Sequence, residues 1–226
     1  MAATVTHRWV PVVLDLSGRR VVCIGGGPVA ASKLEAMRGS GADVVLVSPE
    51  ATPALADDAR AGRLTWHRRP YAFGDLDAAA LAIAGTADPA INEQVAADAQ
   101  RAGIACVRVD AAAGATHPGT AALPATVRRG PLTLAVTTSG AAPALAARIR
   151  SELEQTYDAA YEDLSVLLGE LRTDPDIART LSNLPAEERR ARWHAVLDAD
   201  TLRLIRGGDE TTAKEVATAC LCSPSG

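Results

Sequence analysis

The sequence predicts an α/β fold in which the strands of a parallel β-sheet alternate with helices. Two observations predict this fold class. Short apolar runs of Val, Ile, Leu and Ala recur along the first half of the chain, and most are followed by a turn and a longer amphipathic stretch. Runs of this kind are typical of strands that a parallel sheet buries on both faces. The second observation is that the first run ends in three consecutive glycines, Gly25 to Gly27.

The predicted elements follow one another regularly along the chain. A proline-interrupted lead-in at 9–16 is expected to edge the sheet. Strands are predicted at 21–24, 44–47, 64–67, 81–84 and 104–109, with helices at 30–37, 52–61 and 88–101. A further strand is predicted at 130–138, and helices at 143–157, 161–171, 175–181 and 186–197. The C-terminal domain is expected to end in a loose tail that contains Cys220 and Cys222, and whether the chain is ordered after Gly207 stays open.

The glycines after the first strand form a dinucleotide-binding fingerprint of the G-x-G-x-x-A type, typical of a Rossmann-like domain. Gly25 permits the tight turn, Gly27 has no Cβ to block a pyrophosphate, and small Ala30 lets the helix pack closely on the strand. The helix N-terminus adds free N–H groups and a partial positive charge. An ordinary glycine turn is the alternative. The predicted cofactor-binding residues here are Gly25, Gly26, Gly27, Pro28, Val29 and Ala30.

The end of the second strand leaves the identity of the cofactor open. A Rossmann domain usually ends this strand with an acid that binds the ribose hydroxyls. This chain has Ser48-Pro49-Glu50, in which Ser48 can donate a hydrogen bond to a ribose and Glu50 comes late. The cofactor can therefore be NAD or NADP, and Ser48 is assigned to its site.

Polar residues follow two later strands at the same predicted edge of the sheet. Thr86 and Asp88 come after the strand at 81–84, and Asp110 comes after the strand at 104–109. Ligands of parallel sheets bind at the carboxyl ends of the strands. We therefore assign Thr86 and Asp88 to the cofactor site and place Asp110 at the same edge. The alternative for Asp110 is a residue that only caps a loop.

Composition narrows the class of protein further. A chain of 226 residues can form one sizeable α/β domain and a smaller one, and its net charge of −4 indicates neither nucleic acid nor an anionic membrane as partner. The apolar runs are too short to span a bilayer, and the N-terminus has no secretion signal. Four cysteines show no zinc-site spacing, and Cys23 and Cys106 lie within predicted strands. We expect a cytoplasmic protein without a metal site.

The order of these motifs resembles the precorrin-2 dehydrogenase family of sirohaem synthesis, some members of which are also sirohydrochlorin ferrochelatases. The resemblance rests on the three glycines, on Thr86-x-Asp88 with Asn92 behind it, on Val109-Asp110, and on the stretch TTSGAAPALA at 137–146. It extends from about Trp9 to Leu197, and it concerns the module without the methyltransferase domain.

The resemblance implies a Rossmann domain at 1–115, a dimerisation segment at 116–157 and a helical C-terminal domain at 158–226. The implied reaction is NAD-dependent oxidation of precorrin-2, a tetrapyrrole, with Fe²⁺ as a possible substrate metal for a second activity. The segment from Gly130 to Tyr157 is too small to bury its own apolar faces, which suits a homodimer interface. An appendage of the sheet within one chain is the alternative.

The resemblance also makes Asp110 the catalytic residue. A carboxylate at the mouth of a cofactor cleft can take a proton or steady a developing positive charge, and it can accept pyrrole protons that a metal ion displaces. A tetrapyrrole with many carboxylates calls for arginine in its pocket. The expected substrate-binding residues are therefore Thr138, Ser139, Arg128 and Arg148.

Other functions stay possible at this point. One alternative is an NAD(H)-sensing regulatory domain without catalysis, and another is a chelatase or metal–tetrapyrrole binding protein without dehydrogenase activity. A short-chain dehydrogenase is disfavoured because Tyr157 is followed at the required spacing by Tyr161 and not by lysine. The loop at 111–123 is longer than the family pattern, and its His117 is expected to be solvated rather than a metal ligand.

Overall fold

The computed structural model describes residues 9–110 and 116–222. The chain divides into two compact units, Met1–Leu123 and Pro124–Gly226. Residues 116–123, which we assigned to the dimerisation segment, belong to the first unit. The dimerisation role of the segment and its separation from the C-terminal helices at residue 157 stay predictions.

The first unit is built on a parallel sheet flanked by helices. Its strands are β1 (Arg20–Ile24), β2 (Asp43–Val47), β3 (Thr65–His67), β4 (Leu81–Ala84) and β5 (Ala105–Arg108). Its helices are α1 (Pro28–Glu35), α2 (Pro53–Arg60) and α3 (Pro89–Arg101). The strand order is β3-β2-β1-β4-β5, with all pairs parallel. This confirms the predicted Rossmann-like α/β fold, and the strand order reverses beside β1, where such sheets form their ligand crevice.

Alternate side chains of the central strands point to opposite faces of the sheet. One face packs against α3, through Val22, Ile24, Val95, Ala96 and Ala99. The other face packs against α1 and α2, through Val21, Cys23, Leu46, Ala30 and Leu55. Because helices cover both faces, the strands are apolar at nearly every position. Each fully buried Val or Ile contributes about 1.5–3 kcal/mol relative to its exposed state. Cys23 and Cys106 are buried core residues, as the sequence predicted.

The second unit begins with a β-hairpin rather than with the single strand predicted at 130–138. Strands β6 (Ala125–Arg129) and β7 (Leu132–Val136) pair antiparallel. Gly130 adopts a φ of +51° between them, and Pro131 follows it, so these residues form the turn. Helix α4 (Pro143–Thr156) follows the hairpin. Arg129 donates from Nε to the carbonyl oxygen of Tyr157 at 2.8 Å, which ties β6 to the C-terminal end of α4.

Five more helices complete the described part of this unit: α5 (Ala160–Thr173), α6 (Pro175–Ser182), α7 (Ala186–Asp198), α8 (Thr201–Arg206) and α9 (Glu210–Cys222). The loose tail expected at Cys220 and Cys222 is helical as far as Cys222. Helix α9 inserts Ala213, Ala217 and Leu221 into the core, so the chain after Gly207 is ordered to Cys222. These residues recur every four positions and form one helical face. In the ranges 9–110 and 116–222, no helix combines the length and apolarity needed to cross a membrane.

Candidate functional site

A cleft of about 520 Å³ opens at the carboxyl edge of the sheet in the first unit. The turns that follow β1, β2 and β4 form its walls, at the point where the strand order reverses. The structure therefore brings together several of the predicted cofactor-binding residues, namely Gly25, Gly26, Gly27, Ser48 and Thr86. Other residues that line the cleft include Glu50, Thr52 and Tyr71.

The three glycines are each required for a different reason. Gly25 has a φ of +104°, and a Cβ there would lie 2.5 Å from the carbonyl oxygen of Gly85. A Cβ on Gly26 would lie 2.2 Å from the carbonyl oxygen of Glu50. A Cβ on Gly27 would meet no atom within 4 Å among the described residues. Backbone packing thus demands the first two glycines, whereas Gly27 keeps space open beside the chain.

Helix α1 begins next to this turn and presents its N-terminus to the cleft. In the described residues around this end, no side chain caps the helix, and Pro28 occupies its first turn. Val29 is 52% exposed, whereas Ala30 is completely buried. A Cβ on Gly85 would lie 3.5 Å from Ala30 Cβ, so a small residue at position 30 lets the helix approach the sheet. The first-turn N–H groups have no partner within the helix and favour an anion.

The end of β2 supplies the opposite wall of the cleft. Ser48 is held by its backbone, whose N–H donates to the carbonyl oxygen of His67 at 3.1 Å and whose carbonyl accepts from Trp66 Nε1 at 2.9 Å. Glu50 is exposed at the same wall. The hydroxyl oxygen of Thr52 is buried and has no hydrogen-bond partner among the described residues. A ligand in the cleft can satisfy that hydroxyl.

Asn92 organises the turn after β4. It is completely buried, and its Oδ1 accepts from the Thr86 amide at 2.9 Å while its Nδ2 donates to the Thr86 carbonyl at 3.0 Å. The carboxylate of Asp88 accepts from the amide of Ala90 at 2.8 Å and so caps α3. Thr86 therefore faces the cleft, whereas the Asp88 carboxylate is engaged with its own helix. Sequence reasoning placed Asn92 only in the family motif and not among the site residues.

Asp110 lies just after β5 and is 26% exposed. Arg108 donates from Nε to its Oδ1 at 2.8 Å. Burial raises the pKa of Asp110, but hydrogen bonds from Arg108 and Asn92 and the positive charge of Arg108 outweigh it, so the pKa of this carboxyl lies below its ordinary value. Asp110 is thus an ionised carboxylate at neutral pH. It does not line the cleft itself.

Sequence reasoning missed Arg108, and His117 is partly exposed beside α3. A charged residue inside the apolar run at 104–109 is the signal that marks Arg108 as unusual. His117 is not simply solvated, because its Nδ1 lies 2.8 Å from Gln100 Oε1 of α3. Across the described ranges, no group of three or more His, Cys, Asp and Glu side chains is arranged to hold a metal ion.

The predicted substrate-binding residues lie in the second unit. Thr138 Oγ1 accepts from the amide of Ala142 at the start of α4, at 3.1 Å. Ser139 adopts a φ of +54°, and Arg128 is exposed on β6. Arg148 is exposed and donates to Glu152 at 2.9 Å. The cleft belongs to the first unit, so a common ligand for the two sets of residues stays a prediction.

The sheet order, the glycine turn and the cleft define the class of protein, which is a Rossmann-type nucleotide-binding protein. A family model described as putative NAD(P)-binding matches residues 12–117. A second model, described as sirohaem biosynthesis protein central, matches residues 129–156.

Individual relatives agree with both models. Siroheme synthase of Azotobacter vinelandii is 34% identical over 94% of this chain and 44% of its own length. Siroheme synthase of Chromobacterium violaceum is 34% identical over 90% of this chain and 42% of its own length. The solved structure of "SirC, precorrin-2 dehydrogenase" superposes with a TM-score of 0.70 at 26% identity, over 92% of this chain and 99% of that one.

The two family models, the siroheme synthases and the SirC structure confirm the predicted resemblance to the precorrin-2 dehydrogenase family of sirohaem synthesis. The chain spans less than half the length of the siroheme synthases that it matches.

Proposed function

We propose that this chain oxidises precorrin-2 to sirohydrochlorin with NAD, as a step of sirohaem biosynthesis. The observation that carries the proposal is the carboxylate of Asp110, which Arg108 holds at 2.8 Å just after β5, at the same carboxyl edge of the sheet at which the glycine-rich nucleotide cleft opens. The relatives named siroheme synthase and precorrin-2 dehydrogenase support the same substrate class.

The residues of the cleft fit a nicotinamide dinucleotide. Gly27 leaves open space, the uncapped start of α1 favours a pyrophosphate, and the buried hydroxyl of Thr52 lacks a protein partner among the described residues. Ser48 and Glu50 stand at the end of β2, where a ribose is usually bound. When bound, NAD supplies the hydride acceptor of the oxidation. Glu50 favours free ribose hydroxyls, because its carboxylate would repel the extra phosphate of NADP.

Asp110 has the catalytic role in this proposal. Oxidation of precorrin-2 releases a hydride and a proton, and positive charge develops on the tetrapyrrole as the hydride leaves. An ionised carboxylate beside the cleft steadies that charge and can then take the proton. Its lowered pKa makes it a weaker base, so charge stabilisation is the larger part of its contribution.

Residues of the second unit are proposed to bind the substrate. Arg128 is exposed, and the guanidinium of Arg148 can exchange its exposed partner Glu152 for a substrate carboxylate. Thr138 and Ser139 lie at the turn before α4 and offer hydroxyl groups to the same ligand.

Insertion of Fe²⁺ into sirohydrochlorin is a second candidate activity. The ionised Asp110 can accept pyrrole protons that an incoming metal ion displaces, so one carboxylate would serve both reactions. Adding Fe²⁺ after the oxidation is complete tests this step, with loss of the free sirohydrochlorin spectrum as the readout.

The substitution Asp110→Asn tests the proposed oxidation. Anaerobic precorrin-2 and NAD are supplied, and NADH absorbance is followed together with the sirohydrochlorin spectrum. We expect turnover to fall by about 10²-fold or more, the usual scale for a lost acid–base or charged group, with NADH binding unchanged. Asp43→Asn is the matched control, because Asp43 is exposed at the opposite end of β2.

Three outcomes of this experiment and of the Fe²⁺ addition contradict the proposal. Wild-type protein that binds NADH but never oxidises precorrin-2 would favour an NAD(H)-sensing domain. A folded Asp110→Asn variant with wild-type turnover would reduce Asp110 to a structural residue. A wild type that inserts Fe²⁺ but does not bind NADH would favour a chelatase alone.

A further inference from the structure

Arg108 lies at the centre of a small polar cluster beside Asp110. It is the last residue of β5, and its side chain is only 6% exposed. Its Nε donates to Asp110 Oδ1 at 2.8 Å, and its Nη1 donates both to the carboxylate of Glu93 and to the carbonyl oxygen of His117, the latter at 2.9 Å. One buried guanidinium thus joins β5, α3 and the segment at residue 117.

The charges of this cluster depend on Arg108. Two carboxylates, Asp110 and Glu93, share its single positive charge. The second carboxylate oxygen of Glu93, Oε1, is buried without a hydrogen-bond partner among the described residues. His117 Nε2 lies 3.9 Å from that oxygen, too far for a hydrogen bond. Without Arg108, these two half-buried carboxylates would lose the cation that they share.

We propose that Arg108 is a positioning residue for the reaction, which holds the Asp110 carboxylate in one orientation and anchors it to α3. The inference rests on the proposed function of Asp110. A guanidinium suits this task because its planar fork can donate to several acceptors at once in a fixed geometry, which a lysine ammonium cannot. Misplacing a reacting group by about 1 Å can lower a rate by roughly 10²-fold, so the orientation of Asp110 matters.

The contact with Arg108 also lowers the pKa of Asp110. The titratable and charged groups that face this cluster are Glu93 on α3, His117 on the segment after β5, and Arg108 itself. Of these, Arg108 lowers the pKa of Asp110 by hydrogen bonding and by charge. Removing it raises that pKa, so the acid limb of the pH–rate profile moves to higher pH. A merely structural arginine would leave the limb in place.

Two variants test the proposal, with a control. Arg108→Gln removes the charge, and Arg108→Lys keeps the charge but loses the fork. Arg63→Gln is the matched control, because Arg63 forms an exposed ion pair with Asp58 before β3, at the opposite edge of the sheet. Folding is checked by circular dichroism. The pH dependence of kcat/KM for precorrin-2 oxidation is measured for each protein, and the Asp110 carboxyl is titrated by ¹³C NMR without substrate.

We expect kcat/KM of Arg108→Gln to fall by about tenfold or more near neutral pH, with the acid limb and the NMR titration of Asp110 both displaced to higher pH. Arg108→Lys keeps the positive charge, so its acid limb should lie closer to that of wild type, whereas its kcat should fall. Arg63→Gln should match the wild type in both measurements. An unchanged NMR titration and pH profile in folded Arg108→Gln would overturn the inference.

The controls separate this inference from the proposed function. If wild-type protein does not oxidise precorrin-2, the proposed function fails and the positioning role fails with it, whatever the NMR titration shows. If wild-type protein is active and Arg108→Gln keeps its pH profile, only the positioning role fails. If Arg108→Gln does not fold, Arg108→Lys carries the test, and equal kcat in Arg108→Lys and wild type contradicts the need for the guanidinium fork.

Discussion

Substitutions in the glycine turn should separate folding from cofactor binding. Gly27→Asp places its Cβ where no described atom lies within 4 Å, so we expect the free energy of unfolding to stay within about 0.5 kcal/mol of wild type. Gly26→Ala places a Cβ 2.2 Å from the carbonyl oxygen of Glu50. Backbone must move to relieve that contact, at a cost of about 1–3 kcal/mol. Adjacent glycines therefore have opposite expected phenotypes.

The loss of NADH affinity in Gly27→Asp follows from the Coulomb repulsion between the new carboxylate and the pyrophosphate. An aspartate about 4 Å from a phosphate charge costs about 4 kcal/mol at an effective dielectric constant of about 20, and about 1 kcal/mol in bulk water. The cleft is open to solvent and lies between these limits, so Kd should rise by about 10- to 100-fold. Gly27→Ala, which adds the Cβ without the charge, is the matched control and should lose less affinity.

Calorimetric titration with NADH and thermal melts followed by circular dichroism measure the two effects. Gly26→Ala should melt about 2–12 °C below wild type, since about 2–4 °C are lost per kcal/mol in a chain of this size. Wild-type NADH affinity in folded Gly27→Asp would refute the assignment of the cofactor site to this turn. Wild-type stability of Gly26→Ala would show that the close approach to Glu50 carries no packing demand.

Two further substitutions test the support of the site and the assembly of the chain. Asn92→Leu leaves the amide and carbonyl of Thr86 without their buried partner, so the free energy of unfolding should fall by about 2–4 kcal/mol. Denaturant titration measures this loss. Gln94→Leu, at an exposed position of α3, is the control and should change the free energy of unfolding little. We also propose a homodimer through the hairpin and α4, because in the described chain β6 and β7 pair only with each other, and a two-stranded sheet alone is marginally stable. Light scattering should give twice the chain mass for wild type. The test variant is Leu145→Arg, because the side chain of Leu145 is 50% exposed on α4, and its mass should be lower. The control variant Leu197→Arg, on α7, should keep the mass of two chains. A wild-type mass of one chain at every concentration would contradict the dimer.

Local patterns were enough to predict the first half of the fold. The strands at 21–24 and 81–84 are apolar at every position because helices cover both faces of the sheet, and that pattern is visible in the sequence alone. The cofactor turn was equally predictable, because Gly25 meets a backbone demand that only glycine satisfies and Gly27 leaves space open beside the chain. Family resemblance, rather than periodicity, singled out Asp110.

Elements that depend on distant contacts were harder to predict. The hairpin was missed because the charged residue Arg129 is not typical of a strand. Its side chain is stabilised by a hydrogen bond to the carbonyl oxygen of Tyr157 at the end of α4, far away in sequence. Helix α9 was missed because its buried face consists mainly of alanine, which carries a weak hydrophobic signal. The role proposed for Arg108 depends on its contacts with Glu93 and His117, which lie far from it in sequence and on different elements.

The N-termini of the helices at the cleft edge are not equally suited to binding a phosphate group. The first turn of α3 already has a negative partner, because the Asp88 carboxylate accepts from the Ala90 amide. An anion near that end would meet a like charge. Around the start of α1, no described side chain fills this role, and around the start of α2 the hydroxyl of Thr52 is buried without a partner among the described residues. We therefore expect a pyrophosphate to bind between α1 and α2, and we expect Asp88 to shape the cleft through α3 rather than to contact the phosphates.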